Sequence, residues 1–145
     1  MKALNSVKAV FPSRSVNEGF ARSVVAAFAS TVDPTVDELC DIRMAVSEAV
    51  TNAIVHGYRD TLGMVYITVS LYPGGLLRIK VQDKGCGIPD VQKAMEPLYT
   101  TCQTGERAGL GFAVMEEMMD RVRVKSQVGK GTTVTLDKKL TTRGE

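Results

Sequence analysis

Two stretches of alternating apolar and polar residues, each doubling back through a glycine-containing turn, constrain this chain more than any other feature. Met64 to Leu71 and Leu76 to Gln82 flank Tyr72-Pro73-Gly74-Gly75, and Val122 to Val128 and Thr132 to Leu140 flank Gly129-Lys130-Gly131. Glycine permits the tight reversals that short hairpins need, so each pair is expected to form an antiparallel ribbon. A short strand, Val7 to Phe11, precedes them and is closed by Pro12-Ser13.

Helical periodicity fills the remainder. Phe20, Val24, Ala27 and Phe28 recur at helical spacing in a segment from about Val16 to Thr31, with Ser15 or Asn17 as its cap. Asp33-Pro34-Thr35 breaks that helix and starts a second, running to about Val55 and ended by Gly57. In it Leu39, Ile42, Val46, Ala49 and Ala53 step by three and four, which makes one buried stripe. Glu48 and Asn52 stack on a neighbouring face, with His56 a turn later. A short helix near Val91 to Met95, a mobile loop after it, and a helix from Leu110 to Met119 complete the order. Hairpins beside a few helices predict an α+β fold: a two-layer sandwich, with a mixed, mostly antiparallel sheet and helices on one face.

Composition excludes several classes. A chain of 145 residues that is 44% hydrophobic is long enough for one cored domain, spanning 1–145, without disulfides or metals. Eighteen Lys and Arg against sixteen Asp and Glu leave a net charge of +2, too mild for a nucleic-acid partner. The basic cluster Arg121, Arg123, Lys125 and Lys130 reads as a solvated strand face. Cys40, Cys86 and Cys102 show no C-x-x-C spacing, which fits reduced thiols in a cytoplasmic protein. No signal-peptide pattern or membrane span is expected.

Three clusters carry chemistry. Asp83 is in phase with inward-facing Leu77, Ile79 and Val81, so a carboxylate points toward the covered face, and Gly85 and Gly87 let a ligand approach the backbone. It suits an acceptor for an amino group such as that of adenine; by itself it also suits a capped turn. Gly109-Leu110-Gly111 opens a helix whose free amides favour a polyphosphate, and Arg107 can reach a terminal phosphate. Neither a Walker A order nor a G-x-G-x-x-G fingerprint occurs. Asn52 offers a hard oxygen to magnesium while Glu48 polarises an attacking hydroxyl; taken alone, the pair is also an ordinary polar helix face. His56 reads as a helix-terminal or packing residue, and Met115, Met118 and Met119 as core filler.

Taken in order, E-x-x-x-N on a helix, D-x-G-x-G after a strand, a lid, G-x-G before a helix and a final Gly131-Thr132 closely resemble the GHKL ATP-binding superfamily, which includes gyrase, histidine kinases and MutL. Ser47 to Ala53, His56-Gly57-Tyr58 and Asp83 to Asp90 resemble, within it, the anti-sigma factor serine kinases of sporulation. The resemblance implies the Bergerat fold and a protein-serine kinase using Mg-ATP. It further implies a homodimer that holds a sigma factor inactive in its ATP form and phosphorylates an anti-anti-sigma factor, without contacting nucleic acid or membrane.

By motif match, Glu48 is the base, Asn52 the magnesium ligand and Asp83 the adenine reader, with Thr132 supporting it through water. Gly85, Gly87, Gly109 and Gly111 shape the pocket, Thr100 and Thr101 belong to the lid over the nucleotide, and Arg107 lies at the γ-phosphate. Arg22 belongs to the partner surface. One departure stands in the lid, where related kinases carry Lys after the Thr-Thr pair and this chain has Cys102. Two other functions compete: a nucleotide-gated sigma-binding module without transfer, and a detached histidine-kinase catalytic domain.

Overall fold

The computed structural model describes residues 2–95 and 111–141. Five strands form one sheet: β1 Asn5–Pro12, β2 Met64–Tyr72, β3 Leu76–Asp83, β4 Arg121–Gln127 and β5 Gly131–Lys139. Their order is β1-β2-β3-β5-β4, and all four pairings are antiparallel. The helices are α1 Asn17–Ala29, α2 Val36–Thr51, α3 Val91–Ala94 and α4 Phe112–Met118. Both expected hairpins form, and Gly74 and Gly75 each take a φ of 86° at the first turn.

Period-two burial fixes the register. Val65, Ile67, Val69 and Leu71 of β2, Leu77, Ile79 and Val81 of β3, and Val134 and Leu136 of β5 are buried in one cluster with Ala21, Val25, Ile42, Ala45, Val46 and Val50 of the helices. Each such aliphatic side chain contributes about 1.5–3 kcal/mol when fully buried, so a one-residue slip of any central strand would be heavily penalised. The opposite sheet face holds Arg78, whose Nε and Nη2 donate to Asp137 at 2.8 and 3.1 Å. Arg123 reaches the same carboxylate at 3.4 Å, so this member of the basic cluster is partnered rather than merely solvated.

The helices depart from expectation in three places. In α1 the buried residues are Ala21, Val25 and Ala29, while Phe20 and Ala27 are exposed. The stripe is rotated because small residues allow α1 to lie close on α2, and Phe20 instead meets Phe11 edge-on at 6.1 Å. Neither Ser15 nor Asn17 caps α1: Val16 holds the N-cap position without a side-chain bond, and Asn17 donates to the Pro12 carbonyl. Finally, α2 stops at Thr51, and Asn52–Gly57 continue as a π-helical turn. Thr35 does start α2, through a reciprocal capping box with Glu38.

Candidate active site

Asp83 ends β3 on the helix-covered face and is 6% exposed. Its Oδ1 accepts the Gly85 N–H at 2.9 Å, so the turn-capping bond is present. Burial pushes the carboxyl above its ordinary value, and the amides of Gly85 and Thr132 pull part of that shift back. A buried carboxylate with two backbone donors still has lone pairs for a further one.

The π turn brings the end of the second helix against Asp83. Its closing bond runs from the Tyr58 N–H to the Ala53 carbonyl, five residues back. A β-carbon on Gly57 would stand 2.8 Å from Asp83 Cγ, and one on Gly85 would stand 2.0 Å from the Gly57 carbonyl oxygen. Two glycines therefore let helix end and strand end touch through backbone, and the Cys86 N–H seals the contact on the Gly57 carbonyl at 2.8 Å. The Cys86 thiol lies 3.2 Å from the His56 carbonyl. Single π turns inserted in α-helices recur at functional sites, where the extra residue redirects side chains.

Asn52, at the first position of this turn, is 8% exposed. With Asp83, Gly87 and Thr132 it lines a cavity of about 290 Å³, walled by Ala49, Ala53, Val81, Ile88, Phe112 and Val134. Apolar walls around a few polar groups are the usual make-up of a small-molecule site. The Thr132 hydroxyl lies 2.8 Å from that of Ser126, whose oxygen also accepts the Ile88 N–H at 2.7 Å. That network fixes the glycine-rich segment after Asp83 against the final hairpin.

Glu48 falls outside the cavity lining. It borders a shallow groove with Arg22, Cys40, Arg43, Met44 and Ser47. Glu18 ties the groove's two helices, accepting the Ser47 hydroxyl at 2.6 Å and lying 3.7 Å from Arg22. Gly111, N-cap of α4 with φ +71°, lies directly against the Glu48 carboxylate. The structure thus brings Asn52, Asp83, Gly87 and Thr132 to one cavity, puts Gly85 beneath it and Gly111 beside Glu48, and places Arg22 with Glu48 in the neighbouring groove. Thr100, Thr101, Cys102, Arg107 and Gly109 lie outside the described residues.

Gly57, Arg59, Lys93 and Phe112 also line the cavity, and His56 joins them, although the sequence gave them no binding role. Gly57 had a legible signal, since a glycine four residues beyond the polar pair can admit close approach as well as end a helix. For Arg59, with φ +47°, no local pattern marked the reversal that aims it. Lys93 depends on Asp90, which caps α3 through the Lys93 N–H at 3.0 Å.

Comparisons with known proteins agree with this geometry. A family described as the histidine kinase-like ATPase domain matches residues 11–138. The anti-sigma F factor of Thermoanaerobacter sp. (strain X514) is 50% identical over 138 residues, covering 95% of this chain and 96% of that protein. That of Geobacillus stearothermophilus is 52% identical over 135 residues, covering 92% of each. Among solved structures, the RsbU and RsbW domains of a Mycobacterium tuberculosis protein superpose with a TM-score of 0.68 at 20% identity. The match covers 94% of this chain and 32% of that longer one, and establishes likeness of fold.

Proposed function

The chain belongs to the family of histidine kinase-like ATPase domains, and from that membership we propose that it is an ATP-dependent protein-serine kinase that doubles as an anti-sigma factor. In its ATP form, as a cytoplasmic homodimer, it holds a sporulation sigma factor inactive, and it phosphorylates a serine of an anti-anti-sigma protein. The observation that carries the reading is the cavity itself: a buried Asp83 carboxylate facing Asn52 and Thr132 across apolar walls, in a chain half identical to anti-sigma F factors over nearly its whole length.

Each residue then has a task. Asp83 accepts a hydrogen bond from the adenine amino group, supported by Thr132 through water, while Gly57 and Gly87 leave room for the ring. Asn52 holds magnesium through its carbonyl oxygen. The donor set fits such an ion: among the described residues no three His, Cys, Asp or Glu gather to hold a metal, and magnesium takes few protein ligands when phosphates complete its shell. Magnesium, when bound, offsets charge on the phosphates. Glu48 accepts the proton of the attacking serine hydroxyl, and Arg107 steadies the terminal phosphate. Thr100, Thr101, Gly109 and Gly111 enclose it, and Arg22 meets the protein partner beside Glu48.

A second reading draws on the position of Glu48 in the Arg22 groove rather than the cavity: a nucleotide-gated clamp that binds a sigma factor without transferring phosphate. One experiment separates the two. The protein is incubated with γ-labelled ATP and its anti-anti-sigma partner, and sigma-factor capture is measured with ATP and without. Acid-stable label on the partner, abolished by Glu48→Ala, is expected; ATP-dependent capture without label would leave the clamp.

A further inference from the structure

Tyr58 lines no part of the cavity, yet it joins the two elements that form the cavity's polar floor. Its N–H closes the π turn on Ala53, and its carbonyl accepts both the N–H and the hydroxyl of Thr61, at 2.8 and 2.9 Å. Its hydroxyl donates to the Met64 carbonyl at 2.6 Å and accepts the Lys84 N–H at 2.7 Å. Lys84 is the residue after Asp83. One side chain therefore spans from the turn that carries Asn52 and Gly57, past the first residue of β2, to the backbone amide just beyond the Asp83 carboxylate.

The ring is held as firmly as the hydroxyl. Tyr58 is 9% exposed, and Gly63 lies flat against it: a β-carbon there would come 2.1 Å from Cε1. The Gly63 N–H in turn donates to the Ser13 hydroxyl at 3.0 Å, and the Ser13 N–H to the Gly63 carbonyl at 2.8 Å, which moors the segment to the end of β1. With its proton committed to Met64, the Tyr58 oxygen presents lone pairs toward Lys84, so the Lys84 amide is satisfied without moving the strand end.

We propose that Tyr58 is a positioning residue for base recognition, its hydroxyl fixing the end of β3 so that the Asp83 carboxylate meets the exocyclic amino group of adenine. The inference rests on the adenine-nucleotide reading given above. It assigns Tyr58 no contact with the ligand; the residue acts through Asp83. Phenylalanine keeps the ring and its packing and removes only the bridge.

The test is a double-mutant cycle with fluorescent ADP and GDP, titrated into the wild type, Tyr58→Phe, Asp83→Asn and the double variant. Expected is a loss of about tenfold in ADP affinity for Tyr58→Phe, the size of one misplaced hydrogen bond, with GDP affinity little changed. In the Asp83→Asn background the same substitution should cost almost nothing, because the group it positions is gone. Equal losses for both nucleotides, or additive losses in the double variant, would overturn the positioning role and leave a merely structural tyrosine. Should Tyr58→Phe not fold, Gly63→Ala displaces the ring by its added methyl, and the same cycle is run with it, read by the same criteria. A wild type that prefers ADP beside an unaffected Tyr58→Phe removes this inference alone, whereas a wild type that binds neither nucleotide removes the adenine reading beneath it.

Discussion

Gly111 and the Glu48 carboxylate occupy adjoining space: a β-carbon on Gly111 would lie 2.2 Å from Glu48 Oε2 and 2.9 Å from its Cδ. The N-cap of α4 and the proposed base are thus one steric unit, and the φ of +71° at Gly111 adds a second reason for glycine. Alanine there bears about 1–2 kcal/mol of backbone strain and drives the carboxylate aside. Phosphate transfer should fall about 10²-fold, the scale of a misplaced catalytic group, as measured by label transfer at saturating ATP. Unaltered transfer by a folded Gly111→Ala protein would show that Glu48 can act from elsewhere.

Glu48→Gln keeps size and polarity and removes only basicity. Transfer should drop by about 10²–10⁴, whereas ADP affinity, measured by titration, should stay within about threefold. A parallel collapse of affinity would place Glu48 in binding rather than in proton transfer.

The apo protein should lose stability as pH rises through the titration of Asp83. Its folded value is raised above the ordinary 3.8, chiefly by burial, so the folded state holds the proton more tightly than the unfolded one. The contribution is fully present below 3.8 and is lost as pH climbs through the raised folded value. Glu38 runs the opposite way: burial opposes, but bonds from Thr35 and Thr141 prevail and lower its value, so its contribution is lost as pH falls. Subtracting the denaturant-derived stability of Asp83→Asn from that of the wild type isolates the first slope. A flat difference curve would mean that the carboxylate is better solvated than its burial implies.

Gly85→Ala tests the contact between helix end and strand end. Its methyl would meet the Gly57 carbonyl oxygen at 2.0 Å, a backbone atom that cannot rotate away. A loss of about 1–3 kcal/mol is expected, lowering the melting temperature by several degrees, together with weaker ADP binding because the Asp83 end of β3 shifts with it. Gly129→Ala is the comparison: no atom lies within 4 Å of its β-carbon, although its φ of +80° still carries strain.

On the far sheet face, Asp137→Ala should cost about 1–3 kcal/mol in urea unfolding. The carboxylate side chain is 8% exposed and bridges Arg78 and Arg123, but both guanidinium groups reach water, which moderates the penalty of leaving them unpaired. Nucleotide affinity should not change, since the pair lies away from the cavity.

The sheet was legible in the sequence because its signals are local: period-two runs, glycine turns, and Asp83 in phase with Leu77, Ile79 and Val81 all describe one strand at a time. The capping box of α2 was half legible, since Thr35 is adjacent to the break while the Glu38 carboxylate also receives the Thr141 N–H from the far end of the chain. The α1 stripe was misread because hydrophobicity favours Phe20 over Ala21, whereas close helix packing rewards the smaller residue. The π turn was invisible, for it is imposed by tertiary ties at Gly57 and Tyr58 rather than by any propensity of residues 52–57. Asn52 and Asp83 were found as motif members; that Gly57 makes their meeting possible emerges only in three dimensions.

The π turn also sets a limit on how the chain tolerates length changes. An α-helix closes its bonds four residues back and this turn closes five, so residues 52–57 contain one more residue than a regular helix needs to reach the same place. Removing one residue there would restore a regular helix and leave its hydrogen bonding satisfied, yet rotate everything beyond the deletion by about a quarter of a turn. Gly57 would leave Asp83, and a side chain would take its place against the carboxylate. The surplus residue is therefore a register key: the helix can do without it, but the pocket cannot.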